Sequence, residues 1–400
     1  MQSLSPKKDT ILLYLLSLAT FIIFFQLYMV APLIPELSAS FEVSEQNMGL
    51  IIPVFLIPYA CCTLFYGILA DKFGNKVSIL TSFFLFGVFT LLTATSKSIN
   101  QLFFWRMVTG IVAGGVVPIA LAWIGQLYIY EKRGRPLGFI FGAIAGGGAF
   151  GSASGIMLEA YVGWKLLFLG VGFAAIIIWV SLFITYSRRH AVKIPQKHTS
   201  LKEIFSGYKY LLTSLRGRNT FSYVFLNGVF IYGVFTWLGS YLDKEYSLNT
   251  VQIGLALLGY GIPGFIFGPF IGKLADKFGR SRLLPIGLLV GGFSAFALIF
   301  DIPLTASKIA IIALSIGYDL SQPLLAGIIT EIGGKRGGQA MSLMVFMLFL
   351  GFGTGSYLFG LLLRFGFPTA LLVFFILQMI LSLVSFRLFK YETRIKFENK

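Results

Sequence analysis

Residues 67–80 read GILADKFGNKVSIL and residues 272–285 read GKLADKFGRSRLLP. The two stretches share a glycine followed, one residue on, by Leu-Ala-Asp-Lys-Phe-Gly, and their offset is 205. Each joins two long apolar runs. Two more pairs keep nearly the same register: Lys132-Arg133-Gly134 with Lys335-Arg336-Gly337, and Gly163-Trp164 with Gly366-Phe367, both at an offset of 203. Three matches in one register mean that the chain repeats itself once. Copies with an even number of membrane spans keep the same topology, so they should be related by a pseudo-twofold axis along the membrane normal.

The apolar runs between these matches decide the fold class. Of 400 residues, 56% are hydrophobic, 12% are charged and 45 are glycine. A soluble domain carries roughly 25% charged residues, so this chain lacks the polar surface to face water. The apolar content excludes a disordered chain. Two adjacent cysteines, Cys61 and Cys62, exclude a disulfide scaffold. A membrane helix needs about 20 apolar residues, and twelve such stretches are readable: 11–33, 47–69, 77–95, 101–128, 137–157, 166–186, 221–242, 251–271, 283–300, 306–332, 339–363 and 367–388. Lys7 and Lys8 precede the first, whose length of about 23 residues exceeds the h-region of a signal peptide, so an uncleaved first helix is expected. The expectation is an all-α membrane protein of twelve transmembrane helices in two pseudo-symmetric six-helix bundles. These occupy 1–186 and 221–400, and 187–220 links them on the cytoplasmic side.

Charge placement orients the chain. The formal net charge is +16, a value that would also suit a nucleic-acid binder. With both termini cytoplasmic, 26 of the 32 Lys and Arg residues fall on that side and five on the other. Such a split is the positive-inside signal. The basic residues are spread over many short loops, whereas a nucleic-acid reader gathers them on one element. No nucleic-acid partner is therefore expected. The lipid bilayer is the expected surrounding, and the basic interval 187–220 suits anionic headgroups. The chain is read as a multi-pass monomer of a bacterial-type inner membrane.

Only Arg106 and Asp319 among the ionisable residues fall well within a span, one in each half. A charge at a helix centre costs roughly 2.5–3.5 kcal/mol on insertion scales, so such residues are functional candidates by default. Asp319 is the expected proton carrier, because a carboxyl group is neutral with its proton on and can exchange that proton for a substrate. Tyr318, Ser321 and Gln322 give it polar company; a structural hydrogen bond is the competing role. Arg106 stays charged. It can hold an anionic substrate group, tune a nearby acid or organise backbone carbonyls. Glu36, near a span end, is a further proton-path candidate. Gln26 and Asn227 are mid-span polar residues, suited to lining a cavity or to bonding helix to helix. Tyr232, Trp237, Tyr318, Gln322 and Met344 complete the expected cavity wall, whose aromatic and thioether groups suit bulky or amphiphilic ligands. Metal-ligand spacing, a phosphate-cradling GxxxxGK[ST] loop and a nucleophile–base pair are all absent from the sequence. Neither an enzyme, nor a metal site, nor a cofactor is expected.

The repeated loop, as Gly67-Ile-Leu-Ala-Asp71-Lys-Phe-Gly74-Asn-Lys76, resembles the signature of the major facilitator superfamily between its second and third helices. The copy over Gly272, Asp276, Gly279 and Arg280 is similar to that signature's counterpart. The resemblance extends over essentially the whole chain. It implies a gating latch built from these residues together with the loop cations Arg133 and Arg336. On physical grounds Gly67 permits close helix approach, Gly74 permits a turn, and Asp71 can accept hydrogen bonds from a helix N-terminus. Within the superfamily the chain looks most like the twelve-helix drug:proton antiporters. Ala31-Pro32-Leu-Ile-Pro35-Glu36 is similar to their double-proline element, and Leu102-Phe-Phe-Trp-Arg106-Met-Val-Thr-Gly110 to their arginine motif, which implies a role for Arg106 in proton coupling. Gly142, Gly147, Gly151 and Gly155 are similar to their glycine motif and suit tight helix packing. Where that motif has Gly-Pro and then Gly-Gly, this chain has Gly151-Ser152 and Gly155-Ile156. The resemblance implies a secondary active transporter: a proton-coupled exporter of small organic, lipophilic or amphiphilic compounds, working by alternating access. A dedicated metabolite or metallophore exporter and an uncoupled facilitator or transporter-like receptor are the alternatives.

Overall fold

The computed structural model describes residues 6–187 and 201–392, and all ordered elements among them are helical. In chain order the α-helices are α1 (Pro6–Tyr28), α2 (Ile34–Ser40), α3 (Glu45–Met48), α4 (Ile51–Phe73), α5 (Asn75–Ala94), α6 (Ile99–Ala113), α7 (Val117–Leu127), α8 (Gly134–Ser187), α9 (Leu201–Thr213), α10 (Leu215–Tyr246), α11 (Thr250–Phe278), α12 (Arg280–Ala297), α13 (Leu304–Gly333), α14 (Gly337–Leu362) and α15 (Phe367–Leu388). Among the described residues, ten stretches are long and apolar enough to cross a membrane. Against the twelve expected, α13 and α14 fall in one continuous stretch, Leu304–Phe365, and α12 lies outside the set because Arg280 and Arg282 lower the hydropathy of its 18 residues. The protein is a multi-pass integral membrane protein. Phe173, Ile177 and Leu383 are among many large apolar side chains left exposed, as a lipid-facing surface requires.

The repeat seen in the sequence recurs in backbone geometry. Gly74 (φ 87°, ψ 150°) separates α4 from α5, and Gly279 (φ 83°, ψ 154°) separates α11 from α12. Gly163 (φ 71°, ψ 160°) breaks α8 into two helices, and Gly366 (φ 93°, ψ 160°) precedes α15. All four lie where an L side chain is strained, which is why the matched positions are glycine. A 3-10 turn, Tyr130–Lys132 or Gly334–Arg336, leads into α8 and into α14 respectively. The expected fourth span contains a break between α6 and α7 at Gly114-Gly115-Val116. Gly114 and Gly115 loosen the helix there, and Pro118 has no N–H to give to the carbonyl of residue 114.

The described residues form two interleaved compact units. The first runs to Trp123 and includes Ala143–Tyr208 and Lys335–Phe346; the second takes Ile124–Gly142, Lys209–Gly334 and the chain from Met347 onward. The first centres on a cluster around Met29, Leu33, Ile51, Leu102, Trp164 and Phe168. The second centres on Phe230, Val234, Leu242, Leu314, Phe359 and Phe374. The start of α8 joins the second unit because glycines let it lie directly on α11. A Cβ at Gly138 would overlap the carbonyl of Gly268, and one at Gly142 would come 2.8 Å from that of Gly264. The start of α14 joins the first unit in a similar way, with Gly67 of α4 against Gly338 and Ser342. Gly147 and Gly151 seat α8 against the carbonyls of Phe21 and Phe25 on α1, and Gly155 is buried.

Candidate functional site

In the first unit, Arg106 on α6 is fully buried. Its Nη1 donates to Gln26 Oε1 on α1 at 2.8 Å. Its guanidinium lies over the Phe55 ring of α4, 4.3 Å from the centroid. Gly110, one turn along α6, lets α6 reach the Phe55 backbone, since a Cβ there would overlap the Phe55 carbonyl. Arg106 Nε and Nη2, and Gln26 Nε2, have no hydrogen-bond partner among the described residues. Met344 is buried in the same unit. Glu36 lies on α2 with its side chain exposed, and among the described residues accepts only a long bond, 3.4 Å, from Ser40.

In the second unit, Asp319 on α13 is 3% exposed. Ser315, one turn earlier, donates to its Oδ2 at 3.2 Å. Its carboxylate packs on the α11 backbone, where a Cβ at Gly264 would stand 2.5 Å from Oδ1. Pro323 has no N–H to give to the Asp319 carbonyl one turn back, so the helix is loosened at the acid. Gln322, buried at i+3 from the acid, has neither amide atom partnered among the described residues. Asn227 of α10 donates to Ser321 Oγ at 2.9 Å and accepts from Gln378 Nε2 of α15 at 3.1 Å. That triad bonds helix to helix. Tyr232 stacks on Phe352 with centroids 3.5 Å apart, and Tyr318 is partly buried against the core cluster. Trp237 donates its indole N–H to the Ser356 carbonyl at 3.0 Å, which ties α10 to α14.

The second loop copy is a dense polar cluster in the same unit. Asp276 accepts from the backbone N–H groups of Gly134 at 2.9 Å and Arg135 at 3.3 Å, the first turn of α8. A carboxylate there satisfies orphan helix donors and meets the positive end of the helix dipole. Cβ atoms at Gly134 or Gly272 would overlap the opposing chain, so both glycines are needed for the approach. Arg280 is buried, donates to the Tyr130 carbonyl at 2.9 Å and stacks on the Tyr130 ring at 4.0 Å. Arg133 donates to the carbonyls of Tyr128 (2.8 Å) and Gly125 (2.5 Å), to Thr330 (3.2 Å) and to Glu331 (3.3 Å). In the first copy the Asp71 side chain lies outside the described residues. Lys76 is half-buried and Arg336 is exposed.

Sequence reasoning missed two participants. Glu392, just after α15, accepts a two-pronged bond from Arg216 (2.7 and 2.9 Å) and a bond from the Tyr130 hydroxyl. Its carbonyl accepts the N–H groups of Arg280 and Ser281. Gln378 was also missed, although Gln378, Ser382 and Ser385 form a readable polar stripe at i, i+4 and i+7 on an otherwise apolar helix, all buried.

Glycine-seated helices, a duplicated loop and charges buried within spans make up a polytopic membrane protein. The profile of the Major Facilitator Superfamily matches residues 16–258 and 240–399, and the chain belongs to that superfamily. It is a transporter and not an enzyme. It is similar to the uncharacterized MFS-type transporter YwfA of Bacillus subtilis, 26% identical over 259 residues, 65% of this chain; the match spans 62% of that relative's length. It is also similar to Multidrug resistance protein 1 of Bacillus subtilis, 23% identical over 338 residues, 84% of this chain and 85% of the relative. The crystal structure of the human organic anion transporter MFSD10 shares the fold, with a TM-score of 0.77 at 16% identity over 96% of this chain and all of that one.

Proposed function

We propose that the protein is a proton-coupled exporter of small amphiphilic organic compounds, acting as a monomer by alternating access. In this reading twelve spans form halves 1–186 and 221–400, and both termini and the 187–220 link lie on the cytoplasmic face. The observation that carries it is Asp319. An acid buried mid-span, held by one hydroxyl and paired with no Lys or Arg among the described residues, has no structural charge partner. Its role is to take up and release a proton as the helices around Gly264 and Pro323 rearrange. Glu36, exposed and bonded to Ser40 by one long hydrogen bond, is the weaker candidate, so the proton step is assigned to Asp319. The Asp276–α8 cluster then acts as the latch that holds its end of the helices together. The aromatic residues Tyr232 and Phe352, and the similarity to Multidrug resistance protein 1, favour an amphiphilic solute.

The test is dye flux in proteoliposomes with and without an imposed pH gradient. Wild type should show gradient-driven flux, and Asp319→Asn should lose it while retaining gradient-independent exchange. Gradient-driven flux that survives in Asp319→Asn removes the acid from the mechanism. Wild-type flux indifferent to the gradient makes the protein an uncoupled facilitator.

A further inference from the structure

The cluster around Arg106 offers donors without acceptors. Three N–H-bearing atoms, Arg106 Nε, Arg106 Nη2 and Gln26 Nε2, are buried together without a hydrogen-bond partner among the described residues. Nη1 is already engaged by Gln26 Oε1, and the flat face of the guanidinium is covered by Phe55. What remains without an acceptor among the described residues is the buried edge carrying Nε and Nη2. Those two nitrogens form one fork of parallel donors, which matches two oxygens of a carboxylate or a sulfonate. The same protein shows the fork in use: Arg216 grips Glu392 through Nε (2.7 Å) and Nη2 (2.9 Å). At Arg106 the fork is present and the oxyanion is not supplied by any described residue. A buried cation left unpaired is unfavourable, and an arriving anion removes that cost. Phe55 and the Tyr59 ring stacked beside it, 6.0 Å between centroids, make the surroundings aromatic.

We infer that Arg106, Gln26 and Phe55 form a substrate subsite for an organic anion: a carboxylate or sulfonate attached to an aromatic or aliphatic body. The inference rests on the exporter reading and narrows its solute class. The head group docks on the Nε/Nη2 edge with Gln26 Nε2 as an added donor, and the apolar body lies along the aromatic rings.

Equilibrium binding separates this from the proton-coupling claim, because no gradient is involved. Purified protein in neutral phosphatidylcholine nanodiscs is titrated with four fluorescent probes: naphthalene-2-sulfonate, naphthalene-2-carboxylate, 2-naphthylmethanol and 2-naphthylmethylammonium. The anions should bind at least tenfold tighter than the alcohol and the cation. Arg106→Gln should cut that preference below twofold, and Arg106→Lys, which keeps the charge without the fork, should fall between. Equal binding of the four probes by wild type, or an anion preference that persists in Arg106→Gln, overturns the inference. Equal binding needs no variant to fold. Repeating the titration in phosphatidylglycerol nanodiscs tests a lipid headgroup as the occupant; loss of naphthalene anion binding there assigns the fork to lipid and overturns the substrate reading. If Asp319→Asn still exports with the gradient while the anion preference holds, the proton assignment falls and the anion subsite stands.

Discussion

Removing the Asp276 carboxylate should open the end of the bundle at which α8 begins. Asp276→Ala deletes two hydrogen bonds to the first turn of α8, at 2.9 and 3.3 Å. A hydrogen bond to a charged group contributes about 1.5–3 kcal/mol. Counting only the shorter one, at the low end of that range because the side chain of Asp276 is 19% exposed, gives about 1.5–2 kcal/mol. The helix dipole adds about 0.3–1 kcal/mol. The Arg280 contact at 3.9 Å is too long to add much. The sum, about 2–3 kcal/mol, lowers the ratio of closed to open by about 30- to 150-fold. Asp276→Asn keeps an acceptor and loses the charge, so about 1 kcal/mol, or fivefold, is expected. Hydrogen exchange reads the opening directly. The amides to follow are Lys132 and Leu137, bonded to the carbonyls of Ile129 and Arg133, because the substitution touches neither bond. Their protection should fall in the order wild type, Asn, Ala, while amides of α15 keep theirs. Protection within threefold of wild type in Asp276→Ala would falsify the latch.

Other substitutions test the remaining contacts. A double-mutant cycle between Glu392→Gln and Arg216→Ala should give a coupling of about 1–2 kcal/mol in reversible denaturation, reduced from a fully buried pair because Arg216 is 46% exposed; a coupling near zero would make the pair decorative. Gln378→Leu strands Asn227 Oδ1 and should cost about 1–3 kcal/mol, and adding Asn227→Leu should cost less than the two singles combined. Gly110→Ala drives a Cβ into the Phe55 carbonyl and should destabilise by about 1–3 kcal/mol, whereas Gly353→Ala meets nothing within 4 Å and should be neutral or stabilising by about 0.5–1 kcal/mol; equal melting points for the two variants would contradict the packing described.

Local rules carried much of the fold into the sequence. The motif glycines were readable because positive φ is a local demand, and Gly74 and Gly279 meet it with nearly the same angles. Arg106 and Asp319 were readable because an ionisable residue in an apolar run is rare for energetic reasons. Glu392 was not, since an acid in a basic tail has the same pattern as a solvated one. Its role depends on Arg216, Tyr130 and Arg280, which are distant in sequence and meet it only after folding. Trp237 shows the same limit: an aromatic at helical spacing can line a cavity or bond a neighbouring helix, and only the Ser356 carbonyl distinguishes them.

The charges of the site fall into two kinds, and the difference bears on mechanism. Around the second loop copy each has partners: Asp276 has the first turn of α8, Arg280 has Tyr130, and Glu392 has Arg216 and Tyr130. Such charges hold one arrangement, because separating the elements deprives each charge of its partners. Within the spans, and among the described residues, Arg106 has one amide and a ring, and Asp319 has one hydroxyl. Leucine at either place would insert more favourably on hydropathy grounds. Departures from that preference are expected where a site must receive something the chain does not contain. An acid short of partners suits a proton, and a guanidinium with its fork free suits an oxyanion. On that argument the paired charges set which arrangement is stable, and the unpaired ones decide what must arrive before it changes.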